Sequence, residues 1–190
     1  MTSLRPFHPC DLFTFNTINL DSLTETYDPS FYLTYLARWP HLQMTAIGPH
    51  SDRPVAYLLG KTEASPPYVP VSSPNRLPHH AHVTAVTVAP AHRRLGLARR
   101  LCQGLEAAGD ADRAWFVDLF VRRGNETAVA MYRSWGYSVF RTVREYYSEG
   151  GGGGRGEDAF DMRKPLKRDK RRKHMRERGE LVVVSPDEVW

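Results

Sequence analysis

Cysteine is scarce in this chain. There are two, Cys10 and Cys102. They lie far apart in the sequence and match no metal-ligand spacing, so neither a disulfide framework nor a zinc module is expected. Cys102 falls on the apolar side of a helical pattern and reads as a reduced core residue. No apolar run is long enough to span a membrane, and the N-terminus lacks the apolar stretch of a secretory signal. A cytoplasmic protein with no membrane partner is the expectation. No internal repeat is present. Basic excess is missing from most of the chain: residues 163–178 hold ten Lys or Arg against two Asp or Glu, a net of +8. With the whole chain at +5, the remainder is at −3, so a slightly acidic body carries a basic C-terminal tail. The 190 residues allow one ordinary domain with a sizeable core and some extra segments.

The apolar pattern predicts a mixed order of helices and strands. Ser3 to Phe7 suits a short strand. Asp11 is placed to cap a helix over about Leu12 to Asn19, and Ser30 to cap a second. In that second helix Phe31, Tyr35 and Trp39 repeat every four residues until Pro40 stops it. Strands near Gln43 to Ile47 and Val55 to Lys61 flank a turn-forming segment, His50 to Pro54, which predicts a hairpin. Ser65 to Pro78 holds five prolines and is expected as a flexible surface insert. Trp115 to Arg122 suits a buried strand. Asn125 to Trp135 reads as a helix that Gly136 ends. Ser138 to Tyr147 and Ala159 to Arg163 read as final strands, and the glycine run Gly150 to Gly154 belongs to the loop between them.

The stretch from Val83 to Ala98 is the most informative. It reads as a buried strand, then a basic turn with a glycine, then a helix. Val83, Ala85 and Thr87 share one face of the strand, and Thr84, Val86 and Val88 the other. Pro90 has no N–H to donate and ends it. From Arg93 the period becomes helical, with Leu97, Leu101 and Leu105 four residues apart. The first amides of a helix lack intrahelical partners and sit at the positive end of its dipole. Arg93, Arg94 and Gly96 at that end are suited to gripping a diphosphate. On this segment alone an ordinary surface turn explains the pattern as well.

A second segment decides between these readings. Arg93-Arg-Leu-Gly-Leu-Ala98 matches the R/Q-x-x-G-x-G/A loop of the GCN5-related N-acetyltransferases, and Asn125-Glu-Thr-Ala-Val-Ala-Met-Tyr-Arg-Ser-Trp-Gly-Tyr137 matches their N-x-x-A…Y…G-[FY] helix. Both occur in the right order with a strand between. Phe13 to Tyr32, Phe116-Val-Asp-Leu-Phe-Val121, Tyr137 to Tyr147 and Asp158-Ala-Phe-Asp-Met-Arg163 make the chain resemble, more narrowly, the catalytic subunits of NatB-type amino-terminal acetyltransferases. The resemblance covers residues 1–166, leaving 167–190 as a basic, disordered tail. The insert at 65–78, the glycine-rich loop at 150–156 and the tail depart from the family core.

The resemblance implies an α+β fold: a mostly antiparallel seven-stranded sheet splayed at strands 4 and 5, flanked by about four helices. It implies acetyl transfer from acetyl-CoA, without a metal, to the α-amine of nascent proteins starting Met-Asp, Met-Glu, Met-Asn or Met-Gln. A large helical-repeat auxiliary subunit would complete a heterodimer at the ribosome, and family architecture implies the apolar surface of the first two helices, Phe31 and Trp39 included, as its docking face. The backbone of Val86, Thr87 and Val88, together with Arg93, Arg94, Gly96 and Ala98, would hold the donor, and a bulge near Thr87 would create the splay. On spacing alone Tyr132 is a core tyrosine and Asn125 a helix cap. In the family Tyr132 becomes the general acid, a phenol of ordinary pKa about 10 facing the leaving thiolate, and Asn125 bonds the donor or a water. His82 and Thr84 would recognise the second residue of the substrate. Glu25, Tyr27, Tyr146 and Tyr147 would wall the peptide groove. Glu25, His82 or a backbone carbonyl would take the amine proton through a water. His79, His80 and His82 lack the spacing of a metal site. Two alternatives stay open: another amine acceptor, either a different N-terminus or a lysine, and a ribosome- or RNA-binding module whose basic tail contacts rRNA and whose fold is vestigial.

Overall fold

Short apolar runs bounded by turn residues take residues 44–63 into two antiparallel strands. The computed structural model describes residues 2–21, 24–49, 52–65, 77–147 and 156–189. Most of the proline-rich insert and all of the glycine run lie outside them. The described residues form eight strands and four α-helices. They divide into two compact units, Met1–Thr62 with Ala81–Asp112, and Glu63–His80 with Arg113–Trp190.

In the first unit the strand order is β1 (Ser3–Pro6), β2 (Met44–Ile47), β3 (Pro54–Glu63), β4 (His80–Val88). β1 pairs antiparallel with β2, and β2 with β3 as the expected hairpin, Thr45 facing Tyr57. β3 is buried without alternation from Pro54 to Gly60, as in a strand covered on both faces. Helix α3 (Leu97–Ala111) buries Leu97, Leu101, Cys102, Leu105 and Gly109, the stripe its period predicts. A Cβ on Gly104 would lie 2.5 Å from the Met44 sulfur, so the missing side chain lets the helix approach β2.

An aromatic cluster of Phe7, Phe15, Tyr32, Tyr35 and Tyr57 joins the short helices α1 (Asn16–Asn19) and α2 (Pro29–Arg38) to β3. Phe31 and Trp39, expected on a docking face, pack against this cluster and are half-buried. The exposed apolar residues of these segments are Phe13, Leu20 and Leu33. The expected helix over Leu12 to Asn19 is a 3₁₀ turn, Pro9–Phe13, followed by one turn of α1. Pro9 starts that turn early: His8 becomes the cap, and Asp11 moves inside, where it accepts the His8 N–H and pairs with Arg5. Likewise Pro29 opens α2 from Asp28, which puts Ser30 inside the first turn.

In the second unit the order is β5 (Phe116–Arg122), β7 (Glu157–Pro165), β6 (Ser138–Tyr147), β8 (Val183–Val184). β7 pairs antiparallel with β5 and β6, and β8 lies parallel to β6. Helix α4 (Glu126–Ser134) stands between β5 and β6 in sequence, and Gly136 at φ 95° follows it. The expected disordered tail is a correction: residues 167–189 are folded and belong to this unit, so residue 166 is no boundary. The buried Asp169 carboxylate accepts the N–H groups of Lys173 (2.8 Å) and His174 (3.0 Å). Arg168 lies over Trp115 at 4.2 Å and Arg176 over Phe140 at 4.3 Å, so aromatic faces take up charge that would otherwise self-repel. Thr142 donates its N–H to Val182 (2.8 Å) and its hydroxyl to Glu180 (3.0 Å), making β8 the eighth strand where seven were expected.

Asp161 and His80 are among the charged or titratable groups buried in this unit. Asp161 has no exposed surface; it accepts Arg141 Nε at 2.9 Å and Arg163 Nε at 3.1 Å. Arg141 continues to the carbonyls of Glu188 and Val189, so one carboxylate organises both the strand pair and the C-terminal segment. His80, 2% exposed, stacks on Phe116 (4.8 Å, 11°) and directs Nδ1 to the Pro78 carbonyl at 2.8 Å. Its Nε2 lies 3.5 Å from an Asp118 oxygen and 3.6 Å from a Glu63 oxygen. Burial alone would lower the pKa of this imidazole, but the Asp118 and Glu63 carboxylates outweigh burial and hold it above its ordinary value.

Asp161→Ala leaves two guanidinium groups without their buried anion and is expected to cost about 3–5 kcal/mol in urea unfolding; a loss below about 1 kcal/mol would refute the role assigned to that carboxylate. A histidine whose pKa is raised by folding adds stability that is complete below its unfolded value of about 6.5 and fades as pH climbs through the folded value. The melting-point advantage of the wild type over His80→Gln should therefore shrink from pH 6 towards alkaline pH, and a constant gap would show that no imidazolium is held there.

Candidate active site

The end of β4 and the start of α3 are joined by a turn that cannot be helical. Arg94 has φ 64° and Gly96 φ 77°, both left-handed. The helix expected from Arg93 therefore starts at Leu97, with the Gly96 carbonyl accepting Arg100 N–H at 3.1 Å. Gly96 is the N-cap and offers no side-chain hydrogen bond. A Cβ built on it meets nothing within 4 Å, so its backbone geometry, and not crowding, calls for glycine. The result is a 15-residue helix with an uncapped N-terminus facing open space, bordered by Arg93, Arg94 and Ala98. A diphosphate fits this arrangement. Val86, Thr87 and Val88 lead up to it on β4 and are half-buried. The Arg93 side chain is already engaged: Nε donates to the Val88 carbonyl at 3.2 Å and a terminal nitrogen to Asp21.

The other expected residues of the first unit lie along β4 and beside α2. His82 is buried. The Thr84 hydroxyl is 3.0 Å from the Tyr35 phenol oxygen, and the Thr87 hydroxyl 2.7 Å from that of Thr24. Glu25 is exposed. Tyr27 stacks on Phe31 (4.2 Å, 14°), and its N–H donates to the Tyr32 phenol at 3.3 Å. Asn19 links this phenol to the core: its amide nitrogen donates to Tyr32 at 3.2 Å and its oxygen accepts the Tyr57 hydroxyl at 2.9 Å. Burial pushes the Tyr57 phenol up, with Tyr32 adding to the shift, so it stays protonated and keeps donating.

In the second unit Tyr132 is 7% exposed on α4, with edge-to-face contacts to Trp135 (5.5 Å) and Tyr137 (5.7 Å). Asn125 caps α4, its oxygen accepting Ala128 N–H at 3.0 Å. Both plain roles weighed for these residues are therefore present. At the end of β6, Tyr146 stacks on Phe120 (4.5 Å, 13°), Tyr147 meets it edge-on (5.1 Å), and the Arg122 guanidinium covers Tyr147 at 4.2 Å. Arg122 in turn pairs with Glu157 at 3.0 Å. A solvent-open cavity of about 850 Å³ lined by Arg123, Arg144, Glu145, Glu157 and Asp158 contains none of the expected site residues. No group of three His, Cys, Asp or Glu suited to a metal occurs among the described residues.

Sequence reasoning missed Asp21, Thr24, Tyr32 and Tyr35, each of which holds an expected site residue. The four-residue spacing of Phe31 and Tyr35 was a signal for burial, but nothing in the local sequence paired Thr24 with Thr87 across 63 positions.

A model of the Acetyltransferase (GNAT) family matches residues 12–137. The chain is 48% identical over 190 residues to the N-terminal acetyltransferase B complex catalytic subunit naa20 of Schizosaccharomyces pombe, covering 100% of this chain and 99% of that one. That match runs the full length of this chain, residues 65–78 and 163–178 included. Among solved structures, Chaetomium thermophilum Naa20 in complex with a bisubstrate analogue superposes with a TM-score of 0.91 at 51% identity, covering 99% of each chain. A chain of the NatB acetyltransferase complex bound to a bisubstrate inhibitor gives 0.80 at 38%, again over 99% of each. An uncapped, left-handed turn before α3 and likeness along the whole length lead to one assignment: this chain belongs to the GNAT acetyltransferases and, within them, to the catalytic subunits of N-terminal acetyltransferase B complexes.

Proposed function

We propose that this chain transfers the acetyl group of acetyl-CoA to the α-amine of nascent proteins beginning Met-Asp, Met-Glu, Met-Asn or Met-Gln. The uncapped N-terminus of α3 carries the reading, since a helix that leaves its first amides to a ligand is what a diphosphate-bearing donor requires. Those amides, with Arg93, Arg94, Gly96 and Ala98, hold the diphosphate. The backbone of Val86, Thr87 and Val88 pairs with the pantetheine arm, and Asn125 and Tyr132 complete the donor site. When bound, acetyl-CoA supplies an acyl carbon activated as a thioester. Tyr132 holds a proton for the departing sulfur, and Asn125 orients the donor or a water.

On the acceptor side, His82 and Thr84 offer donors to the carboxylate or amide of the second residue. A site built to bond such a group rejects substrates that lack it. Tyr27, Tyr146 and Tyr147 bond the first backbone groups and cover the Met side chain. An α-amine has a pKa near 8, so one water relayed to Glu25 or His82 is enough to take its proton. The chain works in the cytoplasm as a heterodimer with a large helical-repeat auxiliary subunit, at the ribosome, where the basic segment 163–178 meets rRNA phosphates.

Peptides beginning Met-Asp and Ser-Ala, and one with only an internal lysine, separate the acceptors when assayed with the full chain and its auxiliary subunit. Acetylation of Met-Asp is expected to dominate, and preference for either other peptide would overturn the assignment. Tyr132→Phe keeps the ring packing and removes the proton, so kcat should fall about 100-fold with both KM values little changed. A fall below about threefold would take the acid role away from Tyr132.

A further inference from the structure

Three residues between α1 and α2 are tied to three different parts of the first unit. Asp21 pairs with Arg93 of the diphosphate turn. Thr24 shares a hydrogen bond with Thr87 of β4 at 2.7 Å. Tyr27 donates its N–H to the buried Tyr32 phenol at 3.3 Å. The first two ties end on residues assigned to the donor, and the third residue is assigned to the acceptor. The Asp21 side chain is only 12% exposed, so its charge is poorly screened and depends on Arg93 for compensation. Arg93 is held from two sides, by the Val88 carbonyl and by this carboxylate.

We propose that Asp21 is a positioning residue: through Arg93 it fixes Thr24 and the acceptor-side residue Tyr27 against the donor's diphosphate turn. The inference rests on the function proposed above. A diphosphate on the α3 amides brings negative charge close to Arg93, so the guanidinium lies between two anions. The carboxylate holds the acceptor side in place, and its charge opposes the diphosphate. Asp21 thus helps one substrate at some expense to the other, a pattern that a purely structural ion pair does not produce.

Asp21→Asn, made in the full chain with its auxiliary subunit, tests this. The KM for a Met-Asp peptide should rise at least about fivefold, the lower end of ordinary coupling between sites. The kcat should stay within about twofold, as for loss of uniform binding. The calorimetric Kd for acetyl-CoA should be unchanged or tighter. Thr24→Val cuts the neighbouring tie without touching the ion pair, and should raise the peptide KM while leaving the acetyl-CoA Kd alone; it carries the test if the first variant fails to fold. An unchanged peptide KM in both variants overturns the proposal, as does weakened acetyl-CoA binding in Asp21→Asn. A wild-type complex that ignores Met-Asp peptides would instead remove the underlying function, and that measurement comes first.

Discussion

The left-handed pair Arg94 and Gly96 is the constraint on which the proposed donor site depends. Two such residues cannot continue a right-handed helix, so the chain leaves β4, turns, and begins α3 only at Leu97. The choice of glycine as cap has a second effect. Ser, Thr, Asp or Asn at a helix cap bonds the first amides, which stabilises the helix by roughly a few tenths of a kcal/mol over glycine. Those are the amides a phosphate needs. Glycine forgoes that stabilisation and leaves them open to an outside anion.

How far this was legible depended on the kind of signal. The stripe of Leu97, Leu101 and Leu105 predicted the buried face of α3, and a β-branched and aromatic run predicted β6 with the bounds it has, Ser138–Tyr147. These are local signals, and the core enforces them. The left-handed Arg94 left no such trace, because composition marks positive φ only when glycine carries it. The prolines at positions 9 and 29 were visible but under-read: each opens its turn or helix one or two residues ahead of the cap chosen from side-chain chemistry. Among three neighbouring histidines, nothing in the local sequence marked His80 as the one that meets Asp118, Glu63 and a stacked Phe116, all distant in the chain.

The candidate catalytic residues show why spacing could not decide their role. Asn125 caps α4 and Tyr132 packs in an aromatic group, as ordinary residues at those positions would. These contacts do not compete with the chemistry proposed. A cap uses the amide oxygen of Asn125 and leaves its nitrogen a separate task. Edge-to-face packing uses the ring of Tyr132 and fixes where its hydroxyl sits. The same packing that made the plain reading persuasive is what would preorganise a proton donor.

The basic segment shows the opposite error. Its composition is that of a solvated tail, yet Trp115 and Phe140 accept two of its arginines and a buried aspartate, Asp169, ties down its turns. None of these partners is recognisable as such within residues 163–178 read alone. Once the segment is folded, its exposed cations at Lys170, Arg171, Arg172 and Lys173 are held on one short run of chain. A polyanion meeting them would not have to order a free tail first, so less of the electrostatic attraction is spent on chain entropy. The same folding makes truncation a poor probe of that contact. Removing residues 167–190 would strip β8 from the edge of β6 and leave Arg141 without the Glu188 and Val189 carbonyls. Loss of function after such a cut would report on the fold, whereas neutralising the exposed lysines and arginines one by one leaves the edge covered and isolates the charge.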